Sequence, residues 1–261
     1  MNNKFLAFLF FLCLILLSCS LKQEVNIASP DSNIQLSFTL DDAGKPHYEV
    51  FFKNKKILKK SSLGFDLQDK KSFEGHFEMI KSCKQKFNET WKMPWGEQAE
   101  VVNDYNELKL ELQEKSALKR KLNIIFKIYN DGVGFRYEFP KQDNLKEVLI
   151  TEENTEFNLT EDYKTFWTPG DWDIYEHLYS TTKLSEIDAK SYIPKTNLAQ
   201  SYIPENSVNT PVTMVGEDGV HISFHEAALV DYAGMTLKVD TLNLGLKSSL
   251  VGSKNTVYKV K

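Results

Sequence analysis

The sequence has few cysteines, and their positions leave no pair for a disulfide in the folded part. Only Cys13, Cys19 and Cys83 occur in 261 residues. Cys13 lies in an apolar leader segment and Cys19 follows that segment, so Cys83 is the single cysteine expected inside the domain. An intrachain disulfide is therefore excluded. Burial of apolar surface has to supply the stability, and the chain is long enough for one large domain to achieve it.

An excess of positive charge is also lacking. Thirty-two Lys and Arg residues face 36 Asp and Glu residues, which gives a formal net charge of −4 at pH 7. The densest group of lysines, at residues 53–60, has the composition of a solvated hairpin tip and not of a phosphate-binding patch. The charge balance therefore argues against nucleic acid as a partner.

The first 19 residues have the pattern of a bacterial lipoprotein signal. Lys4 precedes the apolar run Phe5–Leu17, and the small Ser18 then precedes Cys19. An apolar run of about 13 residues is shorter than the roughly 20 needed to span a bilayer, which disfavours a transmembrane helix. We therefore predict a signal over residues 1–19 and lipid attachment at Cys19. An ordinary secretory peptide cut nearby is the alternative.

Both interpretations of the leader place the mature domain outside the cytoplasm. With lipid attachment it would reach the periplasm or the outer membrane, and it would touch the membrane only through the lipid anchor. Residues 20–261 then form one domain, since no repeat and no proline-rich linker divides them.

Helical periodicity is almost absent, and apolar and polar residues alternate with period two instead. The hairpin Lys121–Phe139 is the clearest case, because Asn130–Gly132 contains the Asp-Gly pair that a tight β connection needs. We expect eight apolar side chains of this hairpin to be buried. Further strands are predicted at Ile34–Leu40, Tyr48–Lys53, Gly64–Gln68, Glu107–Leu112, Val148–Leu159, Gly219–Phe224 and Met235–Val239.

Many short strands without helices between them predict an all-β sandwich. Residues 180–211 are the exception, because they are rich in Ser, Thr, Pro and Asn and poor in large aliphatic residues. We expect a long ordered excursion there, with at most a short helix near Leu184–Ala189. Such a length without regular structure is typical of a functional or interface loop.

Residues 166–179 crowd aromatic rings and carboxylates into one loop-like segment. Its carboxylates are hard oxygen ligands of the kind that calcium takes, and its rings offer flat apolar faces to a sugar. The residues concerned are Asp171, Asp173 and Glu176 for the metal, and Trp167, Trp172 and Tyr175 for the sugar. Calcium takes about six to eight oxygens, so this segment can supply only part of a site.

The simpler interpretation of these carboxylates stays open at this point. Most acidic residues are solvated, so Glu176 fits an exposed loop carboxylate, and an Asp after Pro-Gly more often stabilises a turn than binds a metal. His225 and Glu226 do not start a zinc-protease helix, because Leu229 stands where the second histidine belongs. They are expected at a strand end.

Two tryptophans elsewhere admit more than one interpretation. Trp91 and Trp95 flank a Pro-Trp-Gly-Glu phrase and could stack on sugar rings. Their large apolar area favours an interface or a core position instead.

Several phrases taken together resemble the N-terminal domain of glycoside hydrolase family 97, a group of α-glucosidases and α-galactosidases of polysaccharide degraders. They are spread over the whole mature chain, at Ser29–Asp31, Glu89–Trp91, Pro94–Glu97, Tyr105–Leu108, Asn130–Pro140, Phe166–Asp171 and His225–Tyr232. The resemblance implies a β-supersandwich of the galactose-mutarotase type. It also implies a following catalytic (β/α)8 barrel, which is absent from this chain.

The resemblance implies calcium (Ca²⁺) at the junction of the two domains, with Glu176 as the ligand from this domain. The other protein ligands and all catalytic residues would lie on the barrel. The implied function is that of an accessory domain of an exo-acting, calcium-dependent α-glycosidase that hydrolyses α-linked oligosaccharides. The domain would form part of the pocket wall and would be inactive alone.

Two alternatives to this function remain. A free-standing surface lipoprotein could capture oligosaccharides through Trp167, Trp172 and Tyr175. The family's closing phrase is not recognisable in Val251–Lys261, which predicts a truncated last strand and leaves a non-functional fragment as the second alternative.

Overall fold

The computed structural model describes residues 24–68, 72–194, 201–230, 232–251 and 258–260. The predicted signal over residues 1–19 and the lipidation at Cys19 lie outside these ranges and stay predictions. No helix within the described ranges is long and apolar enough to cross a membrane.

The regular structure of the described residues consists of strands, apart from two 3-10 turns at Leu184–Glu186 and Ala189–Tyr192. In chain order the strands are β1 (Glu24–Ala28), β2 (Ile34–Leu40), β3 (Pro46–Phe52), β4 (Lys55–Ser62), β5 (Phe65–Leu67), β6 (Phe77–Lys92), β7 (Glu100–Glu114), β8 (Lys121–Ile128), β9 (Val133–Glu138), β10 (Val148–Glu153), β11 (Glu156–Leu159), β12 (Lys164–Trp167), β13 (Ser180–Lys183), β14 (Ser207–Asn209), β15 (Val212–Val215), β16 (His221–Phe224), β17 (Gly234–Asp240), β18 (Gly245–Val251) and β19 (Tyr258–Val260).

Four antiparallel sheets contain these strands. The largest has the order β1-β2-β3-β4-β11-β18-β17-β14, and the others have the orders β6-β7-β8-β9, β13-β12-β15-β16 and β19-β10-β5. The expectation of an all-β fold is confirmed, and neither an α-helix nor a (β/α)8 barrel occurs in the ranges that the structure describes.

The core lies between the eight-stranded sheet and the β6 to β9 sheet. Phe126 of β8 meets Phe38 of β2 and Tyr48 of β3, with ring centroids 6.3 and 6.0 Å apart. All three side chains are fully buried. Burying an apolar side chain of this size stabilises the fold by about 1.5 to 3 kcal/mol. These contacts show the face-to-face packing of a sandwich.

The predicted hairpin Lys121–Phe139 forms as β8 and β9, and its eight apolar side chains pack in or against the core, although only half of them are fully buried. The four on β8 are fully buried, whereas the four on β9 and just after it are only half-buried. The reason is position, since β8 lies inside its sheet and β9 is an edge strand. Ile125, on the other face of β8, is buried as well, and it pairs with Lys109 of β7 and Arg136 of β9.

Strands β6 and β7 form a long arm of 16 and 15 residues. Most of β6 is exposed, because it is the outermost strand of its sheet. Trp91 lies near the tip and is exposed, and Trp95 is 81% exposed in the tip itself. A core position for these two tryptophans is therefore wrong, and an interface role for them stays a prediction.

The segment 180–211 is more regular than expected, within its described part. It contains β13, the two 3-10 turns and β14, and it connects two sheets because β13 pairs with β12 and β14 pairs with β17. The short helix near Leu184–Ala189 is confirmed as a 3-10 turn. At the other end of the chain, residues 258–260 form β19, which pairs with β10.

Candidate metal site and its loop

The candidate site is a loop that follows strand β12. The last residue of this strand, Trp167, is only 2% exposed. Its indole N–H donates to Thr182 Oγ1 at 3.0 Å, and its ring meets Tyr192 edge to face at 5.5 Å. The expectation that Trp167 offers a surface to sugar is wrong, since its side chain already packs inside the domain.

Asp171 holds the loop together. Its buried carboxylate accepts hydrogen bonds from the backbone N–H groups of Asp173 and Ile174 at 2.9 and 3.1 Å, and from Ser201 Oγ at 2.9 Å. The Nε2 atom of His177 lies 2.9 Å from its Oδ2. Burial alone would raise the pKa of Asp171, but these hydrogen bonds outweigh it and lower that pKa below its usual value. Both oxygens have partners, so Asp171 stabilises the turn and has no free oxygen for a metal.

Further contacts anchor the base of the loop to the segment 201–209. Asn209 accepts from the backbone N–H of Asp171 at 3.2 Å and donates to the carbonyl of Ile174 at 3.4 Å. The hydroxyl of Tyr202 lies 3.4 Å from His177 Nδ1, and the two rings are 4.8 Å apart. Reasoning from the sequence missed these partners, because they come from a segment about 30 residues downstream.

The outer part of the loop, residues 172–179, carries exposed apolar side chains; we call it the aromatic loop. Tyr175 is 62% exposed and Leu178 is 91% exposed, and Trp172 and Tyr179 are exposed as well. Monomeric proteins rarely present so many large apolar residues together unless a partner covers them.

Glu176 lies exposed within the aromatic loop. No hydrogen bond or ion pair engages its carboxylate in the part of the chain that the structure describes, so both oxygens are available. Within that part, no group of three His, Cys, Asp or Glu residues could hold a metal ion. Asp173, the third candidate ligand, is also exposed. Among the described residues, the loop therefore offers the exposed carboxylates of Asp173 and Glu176 and not a complete coordination shell.

A second loop, residues 225–233, is anchored beside the first. His225 and Glu226 directly follow β16, as expected. Glu226 accepts from the backbone N–H of Met235 at 2.6 Å and from Thr210 Oγ1 at 2.8 Å. Thr210 is the neighbour of Asn209, which anchors the aromatic loop. The consecutive residues Asn209 and Thr210 thus anchor the two loops, one loop each. In the second loop the side chain of Val230 is exposed.

The buried carboxylate of Glu153 also holds the second loop. Glu153 accepts from Thr155 Oγ1 at 2.7 Å and from the Tyr232 hydroxyl at 2.9 Å. Burial raises the pKa of Glu153, and the nearby Glu226 raises it further, while the two hydrogen bonds only partly offset these effects. The loop is thus held through hydrogen bonds to two carboxylates.

These observations define an all-β domain of the supersandwich type that presents exposed loops after β12 and β16. The family model described as Glycosyl-hydrolase 97 N-terminal matches residues 27–261, and the chain belongs to this family.

Similarity to known proteins supports this assignment, and each match covers most of this chain but only part of the longer protein. It is 23% identical over 244 residues to a retaining alpha-galactosidase of Bacteroides thetaiotaomicron, covering 90% of this chain and 33% of that protein. A glycoside hydrolase family 97 enzyme from Pseudoalteromonas sp. strain K8, solved in complex with acarbose, is 33% identical with a TM-score of 0.78. That match covers 91% of this chain and 33% of the enzyme.

A third match shows only that the fold is shared. The crystal structure of a beta-arabinopyranosidase gives a TM-score of 0.74 at 22% identity, over 90% of this chain and 38% of that one. The chain thus spans about a third of the length of the relatives it matches. In full-length family 97 enzymes this domain occurs together with a catalytic barrel.

Proposed function

We propose that the chain serves as the N-terminal accessory domain of an exo-acting, calcium-dependent α-glycosidase that acts on α-linked oligosaccharides. The observation that carries the proposal is the free carboxylate of Glu176 in the exposed aromatic loop. Membership in the family supports it, as does the retaining alpha-galactosidase among the relatives. The catalytic carboxylates would come from a (β/α)8 barrel on the same polypeptide.

The carboxylate of Glu176 has the chemistry of a calcium ligand and would supply part of a calcium site. Calcium takes about six to eight oxygens, and a single carboxylate supplies one or two of them. The remaining oxygens would come from the barrel, the substrate and water. Calcium bound there would polarise an oxygen or position a water. Asp171 would stabilise the turn, so that Glu176 stays at the surface. Both oxygens of Glu176 would then be available to the metal.

The aromatic loop would form part of the wall of the substrate pocket. Trp172 and Tyr175 expose flat rings beside Glu176, and such rings pack well against the apolar faces of sugars. The domain would contribute this wall and one metal ligand, and the barrel would contribute the proton-transferring groups. The isolated chain is therefore expected to hydrolyse no glycoside. Export, with a lipid anchor at Cys19, belongs to the same proposal.

Calcium binding by the complete enzyme tests the proposal. With this domain and its barrel on one polypeptide, Glu176→Gln should weaken calcium binding at least tenfold in calorimetry, because it removes an anionic ligand. The matched control is Asp173→Asn in the same exposed loop, which should leave the affinity within about twofold. Equal effects of the two substitutions would contradict a ligand role for Glu176.

The free-standing alternative is supported by the exposure of Trp172 and Tyr175. Calorimetry of the purified chain with maltooligosaccharides separates it from our proposal. A half-site should give no saturable binding below millimolar concentrations. Micromolar binding that Trp172→Ala and Tyr175→Ala abolish would favour capture of oligosaccharides by this chain alone. Hydrolysis of an aryl α-glucoside by the purified chain, lost in Glu176→Ala, would contradict the accessory role.

A further inference from the structure

A cleft of about 830 Å³ opens where three hairpin turns of the sandwich meet. The turns are those between β3 and β4, between β8 and β9, and between β15 and β16, and each contributes lining residues. None of the lining residues belongs to the aromatic loop. Ligand pockets typically measure about 300 to 1,000 Å³ and are mainly apolar with a few polar groups. The cleft has the size and the composition of such a pocket.

Aromatic rings form a continuous wall of the cleft. Tyr48 lies 5.8 Å from Phe135, Phe135 lies 6.4 Å from Phe157, and Phe157 lies 4.8 Å from Phe224, measured between ring centroids. Phe135 is only half-buried, so this wall is open to solvent at its middle. Tyr48, Phe157 and Phe224 are at most 8% exposed, so an entering apolar group displaces water mainly from Phe135 and from the narrow exposed edges of the other rings, which favours binding.

Polar contacts hold the three turns in place around the cleft. Lys55 Nζ lies 2.7 Å from Asp218 Oδ2 and 2.6 Å from Glu161 Oε1, which connects the β15–β16 turn to β4. Asn130 Oδ1 accepts a hydrogen bond from the backbone N–H of Asp31 at 3.0 Å, which fixes the β8–β9 turn. The opening is therefore preformed and does not depend on a ligand to separate the turns.

The mouth of the cleft carries donors and acceptors without a net charge. Lys53 and Asp131 bring one free charge of each sign, because neither forms an ion pair with another described residue, and Lys55 is already paired. His221 Nδ1 lies 2.9 Å from the carbonyl of Gly219, which leaves its Nε2 as an acceptor. A balanced rim of this kind suits an uncharged, hydroxylated group and gives no preference to an anion or a cation.

We propose that this cleft binds a neutral amphiphile, with its alkyl or aryl body against the wall of Tyr48, Phe135, Phe157 and Phe224 and its hydroxyl-rich head at the mouth. An alkyl or aryl glycoside has this chemistry. The apolar body supplies the affinity, and hydrogen bonds from Lys53 and to Asp131 orient the head. The site is a further one, because it uses no residue of the aromatic loop.

Calorimetry with octyl glucoside, kept below its micelle concentration, tests this site on the purified chain. We expect saturable binding that glucose does not compete for, since the head alone leaves the aromatic wall uncovered. Octanoate should bind at least tenfold more weakly, because its carboxylate loses hydration and is repelled by Asp131 at a rim that has no net positive charge. Absence of saturable binding of octyl glucoside, or equal binding of octanoate, would overturn the proposal.

A substitution that fills the cleft provides the structural control. Ile222→Trp adds bulk to a half-buried lining residue and should lower the affinity at least tenfold. Leu242→Trp adds a ring at an exposed turn that does not line the cleft, and it should bind like the parent chain. If Ile222→Trp does not fold, nuclear Overhauser contacts between the octyl chain and the Phe157 and Phe224 rings decide. Their absence, or unchanged binding by a folded Ile222→Trp, would overturn the site.

Discussion

At the scale of single residues, two carboxylates of the loop after β12 differ in burial and in hydrogen bonding. Asp171 is buried and accepts from two backbone N–H groups and from Ser201, with His177 beside it, whereas Glu176 is exposed and has no partner among the described residues. The Asp171 carboxylate stabilises the fold, and the Glu176 carboxylate is available to a ligand. Composition alone does not separate them, because both are acidic residues among aromatic ones.

Replacing Asp171 should therefore damage the fold and not merely a ligand site. Asp171→Ala leaves a buried cluster of donors without its acceptor, and we expect a loss of about 2 to 4 kcal/mol in the free energy of unfolding. Urea denaturation of the purified chain measures this loss. Asp173→Ala is the control from the exposed face of the loop and should stay within about 0.5 kcal/mol. Equal losses for the two variants would contradict the anchoring role.

Two other carboxylates give opposite dependences of stability on pH. Burial raises the pKa of Glu153 in the folded state, so the stability it contributes is full below the usual glutamate pKa of about 4.3 and is lost as pH rises through the raised value. Burial also acts on Glu156, but hydrogen bonds from Ser62 and Asn158 outweigh it and lower its pKa. That contribution is present above the usual pKa and is lost as pH falls.

Urea titrations at pH 3, pH 4.5 and pH 8 check both signs. Relative to the parent chain, Glu153→Gln should become more favourable at pH 8 than at pH 4.5, because the parent must carry a buried charge at high pH. Glu156→Gln should be more unfavourable at pH 8 than at pH 3, because the parent loses its hydrogen-bonded carboxylate only below the usual glutamate pKa. The same direction of change in both variants would contradict these assignments.

At the scale of elements, the position of a strand in its sheet decides how much its side chains contribute. Strand β8 is flanked by β7 and β9 and packs on the eight-stranded sheet, while β6 is outermost and projects as one half of a long arm. Both strands carry large apolar residues. Those of β8 form the core, and many of those on the arm, such as Trp91 and Trp95, are exposed.

Substitutions in the two elements should differ accordingly. Phe126→Ala in β8 removes a ring that meets Phe38, Tyr48 and Phe135, and should lower the free energy of unfolding by about 3 to 5 kcal/mol. Trp95→Ala at the tip of the arm should change it by less than about 0.5 kcal/mol. Thermal and urea unfolding followed by circular dichroism compare them. A large loss in Trp95→Ala would show that the tip packs on the domain.

At the scale of the whole molecule, two apolar surfaces of the domain, the aromatic loop and the cleft, have different properties. The aromatic loop projects outward and offers a free carboxylate, which suits a second domain or a shared metal. The cleft between three hairpin turns is concave and neutral at its rim, which suits a small molecule. The relatives are about three times as long as this chain, which leaves room for the partner domain that we propose for the first surface. Their names carry no information about the second.

Much of the fold could be predicted from the sequence, because alternation along a strand is a local property. The expected strand Ile34–Leu40 agrees with β2 at both ends, and the Asp-Gly turn correctly located the hairpin of β8 and β9. The family could be recognised from phrases such as Asn130–Pro140, because their order and spacing along the chain resemble those of the family. The all-β class and the family assignment were therefore correct before the structure was considered.

The candidate site was predicted only in part, because burial depends on residues that are distant in sequence. Trp167 and Trp172 are neighbours in the same phrase, yet the first packs beneath Tyr192 and Thr182 and the second is exposed. Asp171 could be identified as a turn residue, but its partner Ser201 could not.

The sequence by itself determined the strand pattern, the family and the concentration of acidic and aromatic residues at 166–179. Only the tertiary structure decided which of these side chains are exposed, and it alone brought Tyr48, Phe135, Phe157 and Phe224 into one cleft wall. The physical reason is that alternation and turn chemistry act between near neighbours in the chain. Burial and cavity shape depend instead on contacts between residues that are distant in the chain, such as Tyr48 and Phe135.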